Sequence, residues 1–181
     1  MSLTKAITTP LTDIFCKKLN VGDRVLLSGD IFTARDAAHR RLYDSILCGE
    51  KLPIPMNGSV IFYAAPTPPP PGRIIGSIGP TTSGRMDSYT PKLIEMGLKG
   101  TIGKGKRSDD VRKAMQENCA VYFGAIGGIA ALTAQYISAF SVVAYEDLGP
   151  EAIMKLHVES LPVIVINDCY GRDLFEWKGK Y

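Results

Sequence analysis

A chain of 181 residues is long enough for one domain with a sizeable core, and its 45% hydrophobic and 22% charged residues are those of an ordinary globular protein. A net charge of +3, with basic residues scattered except for a short cluster from Lys104 to Arg107, gives no nucleic-acid-binding stripe or polybasic tail. No apolar run approaches the roughly 20 residues that cross a bilayer, and no charged region followed by an apolar core marks a signal peptide, so a cytoplasmic protein without a membrane span is expected.

In chain order, Thr8 to Lys18 is short and mixed. Val21-Gly22-Asp23 reads as a turn into a strand over Arg24 to Phe32. Thr33 is placed to cap a helix from Ala34 to about Leu47, with Asp36 in its first turn and Gly49 at its end. Ser59 to Ala65 is β-rich. Pro66 to Gly72 is a stiff connection with few backbone donors, read as a rigid surface loop. Arg73 to Ile78 reads as a short strand, Gly79 to Gly84 as a loop of small residues, and the following stretch as a helix to about Met96. Gly100 to Gly103 looks like a strand end. Ser108 caps a helix whose first turn holds Asp109 and Asp110, which suits the positive end of its dipole. Ala120 to Phe123 is a buried strand, Gly127 to Tyr136 a small-residue helix, and Phe140 to Tyr145 a strand. Pro150 fits the first turn of a helix to about His157. Leu161 to Ile166 is an apolar strand, and Arg172 to Lys178 a final one. This alternation of strands and helices predicts an α/β domain over residues 1–181, with crossover helices joining parallel strands.

The four cysteines, Cys16, Cys48, Cys119 and Cys169, form no C-x-x-C pair, and their spacings fit neither a zinc site nor a disulfide framework. They read as reduced thiols, and no metal ligand set is expected in this chain. The sequon at Asn57 carries no meaning without a secretion route.

Three junctions follow apolar strands, the edge at which α/β sheets bind ligands. In the first, Arg35 and His39 share a helix face, and an arginine beside free amides at a helix start suits a carboxylate. Periodicity alone favours the plainer reading of the same face, a solvated surface with Arg35, Arg40 and Arg41 in ion pairs. In the second, Gly79-Pro80-Thr81-Thr82-Ser83-Gly84-Arg85-Met86-Asp87 packs three hydroxyls, two glycines and an arginine between apolar elements. Such a loop can hold anionic oxygens, with Arg85 gripping a carboxylate in two places, or it can simply cap a helix. The third, Gly100 to Lys106, fails both phosphate-loop patterns: Lys104 is followed by Gly105, and Ser108 stands where a third dinucleotide glycine belongs. Arg35, Arg85 and Lys104 are thus three cations on equivalent strand ends. Their convergence would fit a ligand with two negative groups, a dicarboxylate or a phosphate ester.

The stretches Ser28-Gly29-Asp30-Ile31-Phe32-Thr33-Ala34-Arg35-Asp36-Ala37-Ala38-His39 and Gly79 to Tyr89 resemble the β subunit, or C-terminal half, of class I fumarases and the related tartrate dehydratases. Gly103-Lys104-Gly105 and Gly124 to Gly128 match in kind, so the resemblance spans nearly the whole chain. It implies a fold, the three-layer swivelling β/β/α domain with a mostly parallel sheet. It implies an activity, the reversible hydration of fumarate to L-malate by a hydro-lyase of the tricarboxylic acid cycle. It implies a 4Fe-4S cluster whose three cysteine ligands belong to a partner α subunit and not to this chain. The assembly implied is a homodimer of this subunit within a heterotetramer.

Carried over by motif, Arg35, Thr82, Arg85 and Lys104 bind the substrate. Thr81 is the catalytic proton-transfer hydroxyl, and His39 is a proton relay or a brace for Arg35. Small Gly84, Asp87 and a helix without cysteines favour fumarate over tartrate, although Ser83 stands where fumarases often have alanine. The other readings the residues allow are a tartrate dehydratase β subunit, a non-catalytic anion-binding module and a purely structural partner.

Overall fold

The computed structural model of the chain describes residues 4–125 and 130–176. Strand β1 (Lys5–Thr8) leads into helix α1 (Asp13–Lys17), which is capped by the Thr12 hydroxyl accepting from Phe15 N–H. Then come β2 (Arg24–Thr33), α2 (Asp36–Leu47), β3 (Val60–Phe62), α3 (Thr90–Glu95), β4 (Gly100–Gly103) and α4 (Asp109–Glu117). The chain continues through β5 (Val121–Gly124), α5 (Ala130–Thr133), β6 (Ile137–Ala144) and β7 (Ile153–Asn167). Short 3-10 helices cover Ser83–Met86, Ala134–Tyr136 and Glu146–Glu151.

The seven strands form one sheet in the order β1-β2-β3-β4-β5-β7-β6. Each of the neighbours from β1 to β5 is parallel to the next, while β7 runs antiparallel to β5, to β6 and also to β2. Because β7 bonds to both β2 and β5, the strands β2-β3-β4-β5-β7 close a circuit. The fold is therefore mixed α/β with a sheet partly closed as a barrel. Its length makes this possible: the 15 residues of β7 place Met154–Ile164 against β2 and Ile164–Asn167 against β5.

Alternation along the strands divides the core. Val60 and Phe62 point inward with Leu27, Ile31, Ile102, Phe123 and Leu156. Ile61 and Tyr63 point outward, beneath the helices, with Ala38, Leu42, Leu93 and Met115. Each such side chain contributes about 1.5–3 kcal/mol by leaving water.

Several elements differ from the sequence expectation. The helix expected from Pro150 to His157 is instead the start of β7, and it joins the Leu161–Ile166 strand in one element. Met154, Leu156 and Val158 are buried while Lys155, His157 and Glu159 are exposed, which is the period of a strand. Pro150 sits in a 3-10 turn that is broken by Gly149 at φ 56°. Thr33 does not cap α2: it ends β2, and its hydroxyl accepts from Met154 N–H at 3.1 Å.

Arg73 to Ile78 is not a strand. It is the return arm of a loop in which Thr67 N–H donates to Ser77 O at 2.9 Å and Arg73 N–H closes a turn on Pro70 O at 3.0 Å. A side chain at Gly76 would lie 2.2 Å from Thr67 O, so only glycine allows that approach. The helix after Gly84 divides into the 3-10 turn Ser83–Met86 and α3. Of the small-residue helix expected over Gly127–Tyr136, residues 127–129 lie outside the described residues, and the rest divides between α5 and a 3-10 turn. The last expected strand reduces to a bridge between Asn167 and Asp173, and its end lies outside the described residues. The Arg24 start of β2 and the Ser108 cap of α4, which accepts from Val111 N–H, stand as expected.

Leu156 is fully buried on β7, opposite Ile31 of β2 and Phe140 of β6. Leu156→Ala should lower the free energy of unfolding by about 2–5 kcal/mol in urea titration. A loss below about 1 kcal/mol would contradict the central place of β7 in the barrel.

Candidate active site

The three junctions singled out in the sequence leave one edge of the sheet. Strands β2, β3 and β4 are parallel neighbours, so their C-terminal ends lie side by side. Arg35 follows β2 and is the N-cap of α2, with no side-chain cap of its own. Tyr63 follows β3, and its carbonyl accepts from Thr81 N–H at 2.7 Å. Lys104 follows β4 and joins Thr82 in a parallel bridge: Lys104 N–H donates to Thr81 O at 3.2 Å, and Ser83 N–H donates to Lys104 O at 2.9 Å. The polar loop is thus laid along the end of β4 as an extra rung of the ladder, with Thr81 and Thr82 next to Lys104.

Gly103 makes this close approach possible. A Cβ there would stand 2.0 Å from Ser83 Oγ and 3.0 Å from the Tyr63 ring. Ser83 is fully buried, and its hydroxyl bonds Tyr122 OH at 2.9 Å. Thr81 is half-buried, whereas Thr82, Gly84, Arg85 and Lys104 are exposed.

Each arginine is already held by an acid. Arg85 lies on the 3-10 turn after Thr82 and grips Asp36 through Nε at 2.9 Å and a terminal nitrogen at 2.7 Å. Asp36 opens α2, so this pair ties the polar loop to the residue after Arg35. Arg35 lies 3.4 Å from Glu151 Oε1, while Glu151 Oε2 accepts from Ala37 N–H in the first turn of α2 at 3.4 Å. Arg35 and Arg85 therefore sit on the same helix start. Asp36, Ala37, Arg40, Arg85, Tyr89 and Glu151 help line an open depression of about 520 Å³ there. Among the described residues the Lys104 ammonium has no hydrogen bond or ion pair, which makes it the one unpaired cation of the three.

His39 is placed differently from the exposed groups. Its ring is fully buried, edge-on to Tyr63 at 5.1 Å, and its Nδ1–H donates to the Arg35 carbonyl at 2.9 Å. That acceptor fixes the tautomer, so Nε2 carries the lone pair, and it meets no partner among the described residues. Burial, aided by the nearby Arg107 charge, pushes the pKa down to about 4 despite the bond to Arg35.

Behind the loop lies a network that motif reading did not find. Arg107 is fully buried and donates to Asp87 (2.8 Å), Thr101 (3.0 Å), Thr90 (3.0 Å) and Tyr63 OH (3.2 Å). The Tyr63 and Tyr122 rings lie 5.2 and 5.0 Å from its guanidinium carbon. Sequence gave no sign of Glu151, 114 residues from Ala37, or of Arg107, which stood only as one member of a short basic cluster.

Because the folded His39 pKa lies below its ordinary 6.5, the native state binds fewer protons than the unfolded chain between pH 6.5 and about 4. The stability this neutral imidazole supports is complete above pH 6.5 and declines as pH falls, by up to about 3 kcal/mol. His39→Asn keeps a donor for the Arg35 carbonyl but cannot titrate. Its unfolding free energy should fall less steeply over that window than the wild type's, and parallel pH profiles would contradict the assignment.

The family described as Fumarase C-terminus matches residues 4–178. The chain is 41% identical over 157 residues to "Fumarate hydratase 2" of Leishmania major, covering 86% of this chain and 28% of that one. It is 38% identical over 174 residues to "Fumarate hydratase class I, aerobic" of Escherichia coli strain K12, covering 94% and 32%. It is 37% identical over 172 residues to the "Putative L(+)-tartrate dehydratase subunit beta" of Methanocaldococcus jannaschii, covering 92% and 88%. The chain spans about a third of the length of these fumarate hydratases and nearly all of the dehydratase subunit. With a family match over almost its whole length, this chain belongs to the Fumarase C-terminus family.

Proposed function

We propose that this chain is the β subunit of an iron–sulfur-dependent hydro-lyase, a class I fumarate hydratase that reversibly hydrates fumarate to L-malate in the tricarboxylic acid cycle. The observation that supports this reading is that the junctions bearing Arg35, Arg85 and Lys104 leave the same edge of β2, β3 and β4, with Thr82 bridged to Lys104 and Arg85 paired to the residue after Arg35. Arg35, Arg85 and Lys104 bind the two substrate carboxylates, with Thr82 adding a hydroxyl. Asp36 takes one hydrogen bond from Arg85 Nε, with a terminal nitrogen in ion-pair contact, and leaves other N–H donors of the fork for a substrate carboxylate. Glu151 meets Arg35 in a single looser ion-pair contact at 3.4 Å, and Arg35 Nε has no partner among the described residues.

In this reading the Thr81 hydroxyl takes and returns the proton at the carbon beside a carboxylate. A threonine is a poor base unless neighbouring cations stabilise its alkoxide, which Arg85 and Lys104 supply. His39, buried and bonded to the Arg35 carbonyl, braces the start of α2. The fold is read as the family's swivelling β/β/α domain, with the partly closed sheet carrying α2, α3 and α4 on its outer face.

The residues of this chain do not fit a 4Fe-4S cluster. Cys16, Cys119 and Cys169 are buried in the barrel core, and burial pushes Cys16 and Cys169 up to about 12. Cys48 stands alone at the end of α2, and among the described residues no group of metal-ligating side chains is assembled. The cluster is therefore assigned to a partner α subunit. The assembly proposed is a homodimer of this subunit within a cytoplasmic heterotetramer. Among the described residues no helix is long and apolar enough to cross a membrane.

A second reading, the β subunit of a tartrate dehydratase, is favoured by one observation: the relative that bears that name matches this chain in length. Anaerobic mixing with a cluster-loaded α subunit should consume fumarate, followed by its ultraviolet absorbance, and kcat/KM for fumarate should exceed that for L-tartrate. Arg85→Ala should lower turnover by about 100-fold or more while the chain stays folded. Near-normal turnover in that variant, or preference for tartrate, would overturn the assignment.

A further inference from the structure

We propose that Arg107 is a positioning residue that fixes the spacing between the Thr81–Arg85 loop and Lys104, and with it the size of diacid the site accepts. The substrate part of this inference rests on the dicarboxylate reading above; the mechanical part does not. Arg107 reaches every wall behind the site. Its Nε bonds Asp87 at the end of the polar loop, and one terminal nitrogen bonds Thr101 of β4. The other bonds Thr90 of α3 and the hydroxyl of Tyr63 at the end of β3.

Asp87 completes the clasp. Its second oxygen accepts from Ser108 N–H at 2.6 Å, so the loop is tied to the start of α4, three residues beyond Gly105. Tyr122 packs against the guanidinium, donates to Gly105 O at 2.9 Å and bonds Ser83 Oγ. The two segments that carry the cations, Thr82–Arg85 and Lys104–Gly105, are thus bound to the same buried plane from two sides.

None of the Arg107 donors faces solvent, since its side chain has 0% exposure, so it is not itself a ligand for substrate. A planar fork between two rings is a geometric device that a lysine cannot reproduce: an ammonium supplies charge without a fixed fan of donors. Arg107→Lys therefore keeps the charge and removes the geometry. Asp87→Asn weakens a single arm and serves where the lysine variant folds poorly.

Two measurements on the full chain test the proposal. Amide hydrogen exchange of the unpartnered chain should speed up about tenfold or more at Ser83 and Lys104 in either variant, with β7 unchanged. Unchanged exchange at those two amides overturns the proposal whether or not the chain is a hydro-lyase. In the complex with a cluster-loaded α subunit, the variants should raise KM for fumarate more than they lower kcat. They should also narrow the preference for fumarate over 2-methylfumarate by about tenfold, the scale on which a pocket senses one methyl group. A lower melting temperature with KM and preference unchanged makes Arg107 merely structural and overturns its positioning role. If the wild-type complex hydrates neither acid while exchange still rises in the variants, the hydro-lyase reading fails and the substrate part falls with it, leaving only the loop clasp.

Discussion

Parallel strands that bond side by side must finish at the same edge of their sheet, and the chemistry available to this chain follows from that constraint. Arg35, Thr81 and Lys104 are separated by 46 and 23 positions in the numbering. They follow one edge because β2, β3 and β4 run in one direction, and Thr81 and Lys104 are joined there by a backbone hydrogen bond. The antiparallel β7 borders both flanks of this edge. It closes the sheet between β2 and β5, so the strand ends belong to a barrel rim rather than to an open, twisting sheet.

Two arginines beside one helix start have an electrostatic cost, and the chain offsets it with its own carboxylates. Asp36 holds Arg85, and Glu151 holds Arg35. These pairs are partly exposed: Arg85 is 48% and Asp36 34% accessible, and Arg35 and Glu151 about as accessible as Asp36. Ion pairs in such surroundings contribute only about 0–1 kcal/mol. They can orient a guanidinium without preventing it from taking a second anion. The contrast with Arg107 is instructive. That cation is sealed from water and fully bonded, which suits a structural pivot and not a ligand site.

Much of this was legible in the chain, and the misses have identifiable causes. Strand β2 and the Ser108-capped helix were readable because local rules, alternation and capping, coincide there with the tertiary outcome. The three cationic junctions were readable as strand-end loops, but the ion pairs of Arg35 and Arg85 were not, because Glu151 and Asp36 reach them across 116 and 49 positions of the chain. Pro150 misled: a proline followed by an acid and an apolar run looks like a helix start, while the alternation from Met154 to Glu159 is the pattern that barrel closure selects. Thr33 misled in the same way, since the hydroxyl expected to cap α2 is taken by the backbone of β7. Arg107 was invisible as a pivot, because its partners at positions 63, 87, 90, 101 and 122 meet only in the folded molecule.

The position of a small diacid on this edge decides the function of the strand-end cations. A crystal structure of the assembled α–β complex with malate bound would locate it directly. The account predicts one carboxylate within hydrogen-bond distance of Arg35 or Arg85, and the other within reach of Lys104, beside the Thr81 hydroxyl. Malate seated instead in the separate depression of about 740 Å³ lined by Thr9, Asp30 and His157, with the strand-end cations still bonded only to Asp36 and Glu151, would contradict it.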